Sequence, residues 1–189
     1  IGVDFTAFRS RLNVTLDYYY KKTTGMLMNV TMPSTGASSV DKIQRNEGEM
    51  ENRGFEVAIG SRNIEGAFSW DTDFNISFNK NKMTKLINTQ MYEDAMTSDH
   101  VNTYVVRNQP GRPLGSFWGY ISDGVDPETG NLIYRDLDNN GQNGNPGDQT
   151  FIGDPNPDFT FGLTNTFSYK NINLSIFIQG AYGNDVYNA

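Results

Sequence analysis

Along much of this chain, apolar and polar residues alternate with a period of two. That pattern suits an extended strand whose two faces meet different surroundings. Over residues 11–22, Leu12, Val14, Leu16, Tyr18 and Tyr20 share one face and Asn13, Thr15, Asp17 and Tyr19 the other. Over 53–62, Phe55, Val57 and Ile59 alternate with Glu56, Ala58 and Gly60. Over 68–79, Phe68, Trp70, Phe74, Ile76 and Phe78 oppose Asp71, Asp73, Asn75 and Ser77. Residues 159–169 set Phe159, Phe161, Leu163, Phe167 and Tyr169 against Thr160, Gly162, Thr164, Thr166 and Ser168. Residues 172–179 set Ile172, Leu174, Ile176 and Ile178 against Asn173, Ser175 and Gln179. A weaker version, Val3, Phe5 and Ala7, opens the chain.

Strands are therefore expected at about 2–8, 11–22, 53–62, 67–79, 158–169 and 172–182. Most approach the roughly 9–11 residues that a tilted strand needs to cross a bilayer. Aromatic residues gather towards their ends, at Tyr18, Tyr19, Tyr20, Phe68, Trp70 and Tyr169, as they do at membrane–water interfaces. The connections differ sharply in length. Phe8-Arg9-Ser10, Asn63-Ile64-Glu65-Gly66 and Lys170-Asn171 are tight, whereas loops of about 23–50 and 80–157 are long. Membrane barrels show this contrast between short periplasmic turns and long extracellular loops. A loop of the second length is uncommon without structure of its own, so short strands are expected near 116–121 and 132–135.

The fold class expected is all-β: antiparallel strands of a large transmembrane β-barrel with long extracellular loops. Six such strands cannot close a wide barrel, and open edges in lipid would leave backbone amides unpaired at several kcal/mol each. The chain begins Ile1-Gly2-Val3 and stops inside an alternating run at Asn188-Ala189. It reads as a piece of a longer protein that supplies the neighbouring strands. The alternative is a soluble carbohydrate-binding β-sandwich, with the apolar rows turned inward, because alternation alone does not tell inside from outside.

Composition narrows the function classes. The 189 residues include no cysteine, which excludes disulfides and thiolate metal sites. The net charge of −7 argues against nucleic acid, which needs a basic stripe. No run approaches the ~18 apolar residues of a membrane-spanning helix. His100 is the only histidine and has no partner in local sequence. No acid/base or nucleophile constellation stands out from the scattered Asp and Glu, so catalysis is not expected.

Five segments resemble the C-terminal half of the SusC/RagA family of TonB-dependent outer-membrane receptors. They are residues 18–25 (YYYKKTTG), 46–56 (NEGEMENRGFE), 113–120 (PLGSFWGY), 152–159 (IGDPNPDF) and 179–188 (QGAYGNDVYN). They follow the family's order and span nearly the whole chain. The resemblance implies a large barrel in the outer membrane, plugged by an N-terminal domain lying outside this chain. It also implies a SusD-like surface lipoprotein as partner, oligosaccharides or peptides as cargo, and opening by the TonB complex.

Two local motifs carry chemistry of their own. Asp136, Asp138 and Asn140 stand at positions 1, 3 and 5 of a loop with Gly141 at 6, the pattern of a Ca²⁺ loop. Alternate residues of a tight turn bring oxygens together on a hard cation. Gln142 would add its backbone carbonyl and Asp148 a further carboxylate. The twelfth position is Gly147 in place of the usual Glu. The bland reading is a solvated acidic loop. Trp118 and Tyr120, with Phe117 between Ser116 and Trp118, offer rings that could stack on a sugar. The bland reading there is a loop folded onto its own aromatic cluster.

Overall fold

The computed structural model describes residues 1–31, 42–86, 91–93 and 104–188. Among them the chain is strand and turn, with one 3₁₀ turn at Pro146–Asp148. The strands are β1 (Gly2–Ala7), β2 (Leu12–Thr31), β3 (Lys42–Ile64), β4 (Phe68–Lys85), β5 (Met91–Glu93), β6 (Val106–Asn108), β7 (Phe117–Tyr120), β8 (Ser122–Val125), β9 (Leu132–Tyr134), β10 (Gln149–Gly153), β11 (Phe159–Tyr169) and β12 (Ile172–Tyr182). They form two compact units, one of residues 1–23, 50–81 and 156–184, the other of 24–49, 82–155 and 185–189.

The first unit is built on a six-stranded sheet in the order β1-β2-β3-β4-β11-β12. Tight turns dictate antiparallel neighbours. The turn joining β1 to β2 runs through Phe8, Arg9 and Ser10, all left-handed. The turn joining β11 to β12 has Lys170 left-handed, at φ 54°. β11 pairs with β12 from Phe159↔Tyr182 to Tyr169↔Ile172, and with β4 from Thr160↔Ser77 to Tyr169↔Phe68. On β3 and β4, the Ser77 hydroxyl donates to Glu56, while the Asp73 carboxylate lies over Gly60. Both contacts fit one antiparallel register of β3 with β4 across the tight connection at 63–66. Arg11 ties β2 to the end of β3, donating to the carbonyls of Arg62 (3.0 Å) and Asn63 (2.7 Å).

These registers gather the alternating residues into two continuous faces. Val3, Leu16, Phe5 and Val14 pair on one face, as do Phe74, Leu163 and Ile178 further along it. The opposite face carries Asp4, Thr15, Asn75, Gly162 and Gln179. No member of the apolar row is buried among the described residues, and Leu174, Ile176 and Ile178 are each about half exposed. A sandwich would cover this row.

Aromatic rings mark both ends of that face. Trp70 and Phe167 stack at 5.8 Å near the tight turns, and Phe159 and Tyr182 stack at 5.3 Å at the far end. The 11 residues of β11 cover roughly 34 Å of strand. At the ~40° tilt usual in barrels this gives about 26 Å of height, close to the ~25 Å apolar band of such proteins. The row also contains polar residues, but they satisfy one another. Asn165 Oδ1 accepts from Trp70 Nε1 (2.9 Å) and Thr72 Oγ1 (2.7 Å), and Asn63 Nδ2 donates to Thr72 Oγ1 (2.7 Å). Away from water, such mutual pairing avoids the cost of unmet polar groups.

The strands outrun their sequence-based bounds. β2 continues to Thr31, β3 starts at Lys42 and β4 reaches Lys85, so most of the loop expected over 23–50 is strand. Lys42–Asn52 shows no apolar row because both faces there are polar, while backbone pairing persists without a difference in side-chain character. The loop expected from residue 80 accordingly begins later.

The second unit contains a four-stranded sheet, β10-β7-β6-β5, and the hairpin β8-β9. The expected strands at 116–121 and 132–135 are present as β7 and β9. Among the described residues its buried apolar side chains are Met83, Leu86 and Val105. Arg107 is also buried, its guanidinium 3.9 Å above the Trp118 ring. Asn108 is fully buried and its Oδ1 accepts from Gly115 N at 2.8 Å. Asp126 closes the β8-β9 turn by accepting from Thr129 Oγ1 (2.7 Å) and Glu128 N (2.9 Å), bonds that hold its carboxyl below the usual range. Arg135 Nε donates to Asp123 at 3.0 Å, pairing the two strands through opposite charges.

Candidate functional site

The segment from Asp136 to Asp148 curls back on itself between β9 and β10. Asn139 and Gly141 adopt left-handed backbone, φ 57° and 77°, which tightens the curl. Asp136 accepts from Asn140 N (3.2 Å) and Gly141 N (2.9 Å). Asp138 accepts from Asn140 N (3.1 Å) and Asn140 Nδ2 (2.9 Å). Asn140 Oδ1 accepts from Gln142 N (2.7 Å), and the Gln142 carbonyl accepts from Asn145 Nδ2 (2.6 Å).

Asp148 closes the segment. It is fully buried, and it accepts from Leu137 N (2.8 Å), Gly144 N (2.8 Å), Asn145 N (3.1 Å) and Asn145 Nδ2 (3.0 Å). Burial alone raises its pKa, but the N–H groups of Leu137, Asn145, Gly144 and Asp138 outweigh that and hold the carboxyl below its usual range. Asn145 Oδ1 in turn accepts from Gly147 N (2.7 Å), completing a capping box around the 3₁₀ turn.

One oxygen each from Asp136, Asp138 and Asp148 lies within 4.8 Å of the others. Asp136 and Asp138 each accept two N–H bonds and keep lone pairs for a cation, whereas Asp148 already accepts four. Asn140 and Gln142 lie in the same curl. Gly147, where a Ca²⁺ loop usually has Glu, has a local reason to be glycine: a Cβ there would collide with the Asp138 carboxylate.

Trp118 and Tyr120 lie on β7, both half-buried. Arg107 covers a face of the Trp118 indole, Phe151 meets the ring edge-on at 5.0 Å, and Nε1 donates to Gln149 Oε1 at 3.0 Å. Tyr120 packs at 5.1 Å against Tyr134.

The polar face of the six-stranded sheet holds two hollows that alternation did not single out. Thr15, Asp17, Glu56, Ala58 and Ser77 line one of about 270 Å³. Asn75, Thr160, Gly162, Phe177 and Gln179 line an open groove of about 510 Å³. Asn75 borders both. Phe177 is the irregularity: its cross-strand partner is Thr164, so it occupies the polar register between Ser175 and Gln179. That break in the row of residues 172–179 was the signal available in the sequence.

No family model matches the chain. It is 37% identical to TonB-dependent receptor P3 of Formosa agariphila, over 100% of this chain and 20% of that relative. It is 31% identical to TonB-dependent receptor SusC of Bacteroides thetaiotaomicron, over 98% of this chain and 19% of SusC. The solved structure of the RagAB peptide transporter matches with a TM-score of 0.80 and 22% identity, over 97% of this chain and 20% of that one. The chain thus spans about one fifth of the length of the curated relatives it matches. With an open six-stranded antiparallel sheet of one apolar and one polar face, it belongs to the SusC/RagA-type TonB-dependent receptors, as a stretch of their β-barrel.

Proposed function

We propose that the parent protein is an outer-membrane importer of large nutrients, oligosaccharides or peptides, and that this chain forms part of its wall and extracellular loops. The observation that carries the reading is the uncovered apolar face of the six-stranded sheet, ringed by aromatics at both ends. Lipid is the surrounding that lets such a face stay open, and a wet lumen suits the opposite row of Asp, Asn, Thr and Ser. Kinship with SusC supports a SusD-like lipoprotein as partner and energy coupling through the TonB complex, by parts of the parent beyond this chain. The role is transport, without catalysis by these residues.

Within the loops, Ca²⁺ held by Asp136, Asp138, Asn140, Gln142 and Asp148 would act structurally. It would relieve repulsion among three close carboxylates and lock the curl. Ca²⁺ suits this oxygen set better than Mg²⁺, which demands stricter octahedral geometry and gives up water reluctantly. Trp118 and Tyr120 are proposed as secondary substrate contacts through their exposed edges, since neighbouring groups occupy part of each ring.

Deleting the parent gene tests the import reading. Growth on one polymeric nutrient should be lost while secreted hydrolase activity stays intact. Hydrolysis of glycan or peptide bonds by the purified parent would overturn the transport assignment.

A further inference from the structure

On the polar face of the sheet one residue contradicts its row. Phe177 stands where Asn173, Ser175 and Gln179 set the character of the strand, and it is 60% exposed. A phenyl ring held in a wet row gains nothing from lipid and keeps apolar surface in water at a cost in free energy. Its neighbours in the groove are uncharged: the Asn75 and Gln179 amides and the Thr160 hydroxyl. Gly162 is buried because the Asn75 amide lies directly over it, where a Cβ at 162 would stand 3.1 Å from Nδ2 and 3.2 Å from Oδ1. The adjoining hollow differs in kind, being lined by Asp17 and Glu56.

The groove therefore offers an aromatic surface, two amides that both donate and accept, a hydroxyl, and no counter-charge. We propose that it is a subsite for a neutral oligosaccharide, with Phe177 stacking on the apolar face of a sugar ring and Asn75, Thr160 and Gln179 bonding its hydroxyls. Sugars combine those two surfaces, as C–H faces and hydroxyl rims. The lining itself carries no charge for a peptide's termini or charged side chains, and the carboxylate of Asp73, in register with Thr164 on the same face, leans toward Gly60 on β3. Its volume of about 510 Å³ suits a small segment of a longer ligand. The proposal rests on the import reading, narrowing its cargo to glycan.

The test uses the full-length parent, purified in detergent, and fluorescein-labelled neutral glucan, mannan and xylan oligosaccharides, with labelled neutral and charged peptides alongside. At least one oligosaccharide should bind. Phe177→Ala should weaken that binding about tenfold, Phe177→Trp should restore it, and Gln179→Ala should weaken it less. Heat-modifiable migration on gels checks that each variant barrel is assembled. The subsite is overturned if no oligosaccharide binds, if only peptides bind, or if Phe177→Ala binds sugar like the wild type. It is also overturned if Phe177→Ala makes cells permeable to large antibiotics with sugar binding unchanged, because Phe177 would then be holding the plug. Uptake by cells with and without the gene is measured separately. Binding that depends on Phe177, with uptake independent of the gene, leaves the subsite standing and removes the import reading.

Discussion

The two units of this chain handle apolar residues in opposite ways. The second keeps Met83, Leu86 and Val105 buried, as a domain in water does. The first has long rows of Leu, Ile, Val and Phe and buries none of them among the described residues. The same hydrophobic effect governs both. The difference lies in the surroundings each requires: one supplies its own apolar interior, and the other needs an apolar solvent outside it.

The largest expected effect falls on the self-contained unit. Met83 is fully buried, so Met83→Ala should cost about 2–5 kcal/mol from lost burial and the cavity left behind. It should appear as protease sensitivity of residues 104–155 in a parent whose barrel still assembles. Loss of the barrel together with the loops would show that the two units are not stabilised separately.

Phe74→Arg comes next, at roughly 2–4 kcal/mol, the penalty for a lipid-facing charge near mid-membrane. Thr164→Arg, on the polar face of the neighbouring strand, should cost much less. The fraction of assembled barrel in membranes, compared across the two variants, measures the difference. Equal penalties would mean that both faces meet the same medium.

A smaller effect concerns acid. The Asp148 carboxyl is held below its usual range, so the stability it contributes is present above the unfolded pKa of ~3.9 and is lost as pH falls through the lower folded value. The amides of Leu137, Gly144 and Asn145, which donate to it, should keep their hydrogen-exchange protection below the ordinary Asp range. Loss of protection above that range would contradict the assignment. Calorimetry with Ca²⁺ on the same parent should show uptake that the combined Asp136→Ala and Asp138→Ala variant abolishes. Equal uptake by the variant would dismiss the cation.

The contrast between units also explains what could be read in advance. The alternation over 53–62, 68–79, 159–169 and 172–179 was visible because the two faces of those strands meet different media, and that difference writes itself into every second residue. Lys42–Asn52 joins the same strand by backbone pairing with polar residues on both sides, so no period marks it. β6, β8 and β10 are too short to establish a period. Of the site residues, Asp136 and Asp138 stood out by local spacing. Asp148 could be named, but its burial under four N–H donors comes from the fold of the curl. The groove beside Phe177 joins β4, β11 and β12, and the contact between Asn75 and Gly162 joins residues nearly half the chain's length apart. Only the misplaced phenylalanine hinted at it.

Accessibility on the two faces tests the central claim most directly. Spin labels are placed in the parent, in native-like bilayers, at Phe74, Leu163 and Ile176 on one face and at Ser77, Thr164 and Ser175 on the other. The first set should relax with oxygen, which concentrates in lipid, and ignore an aqueous nickel chelate; the second set should respond to the chelate. The reverse pattern, or chelate access at all six positions, would contradict a barrel wall between lipid and water.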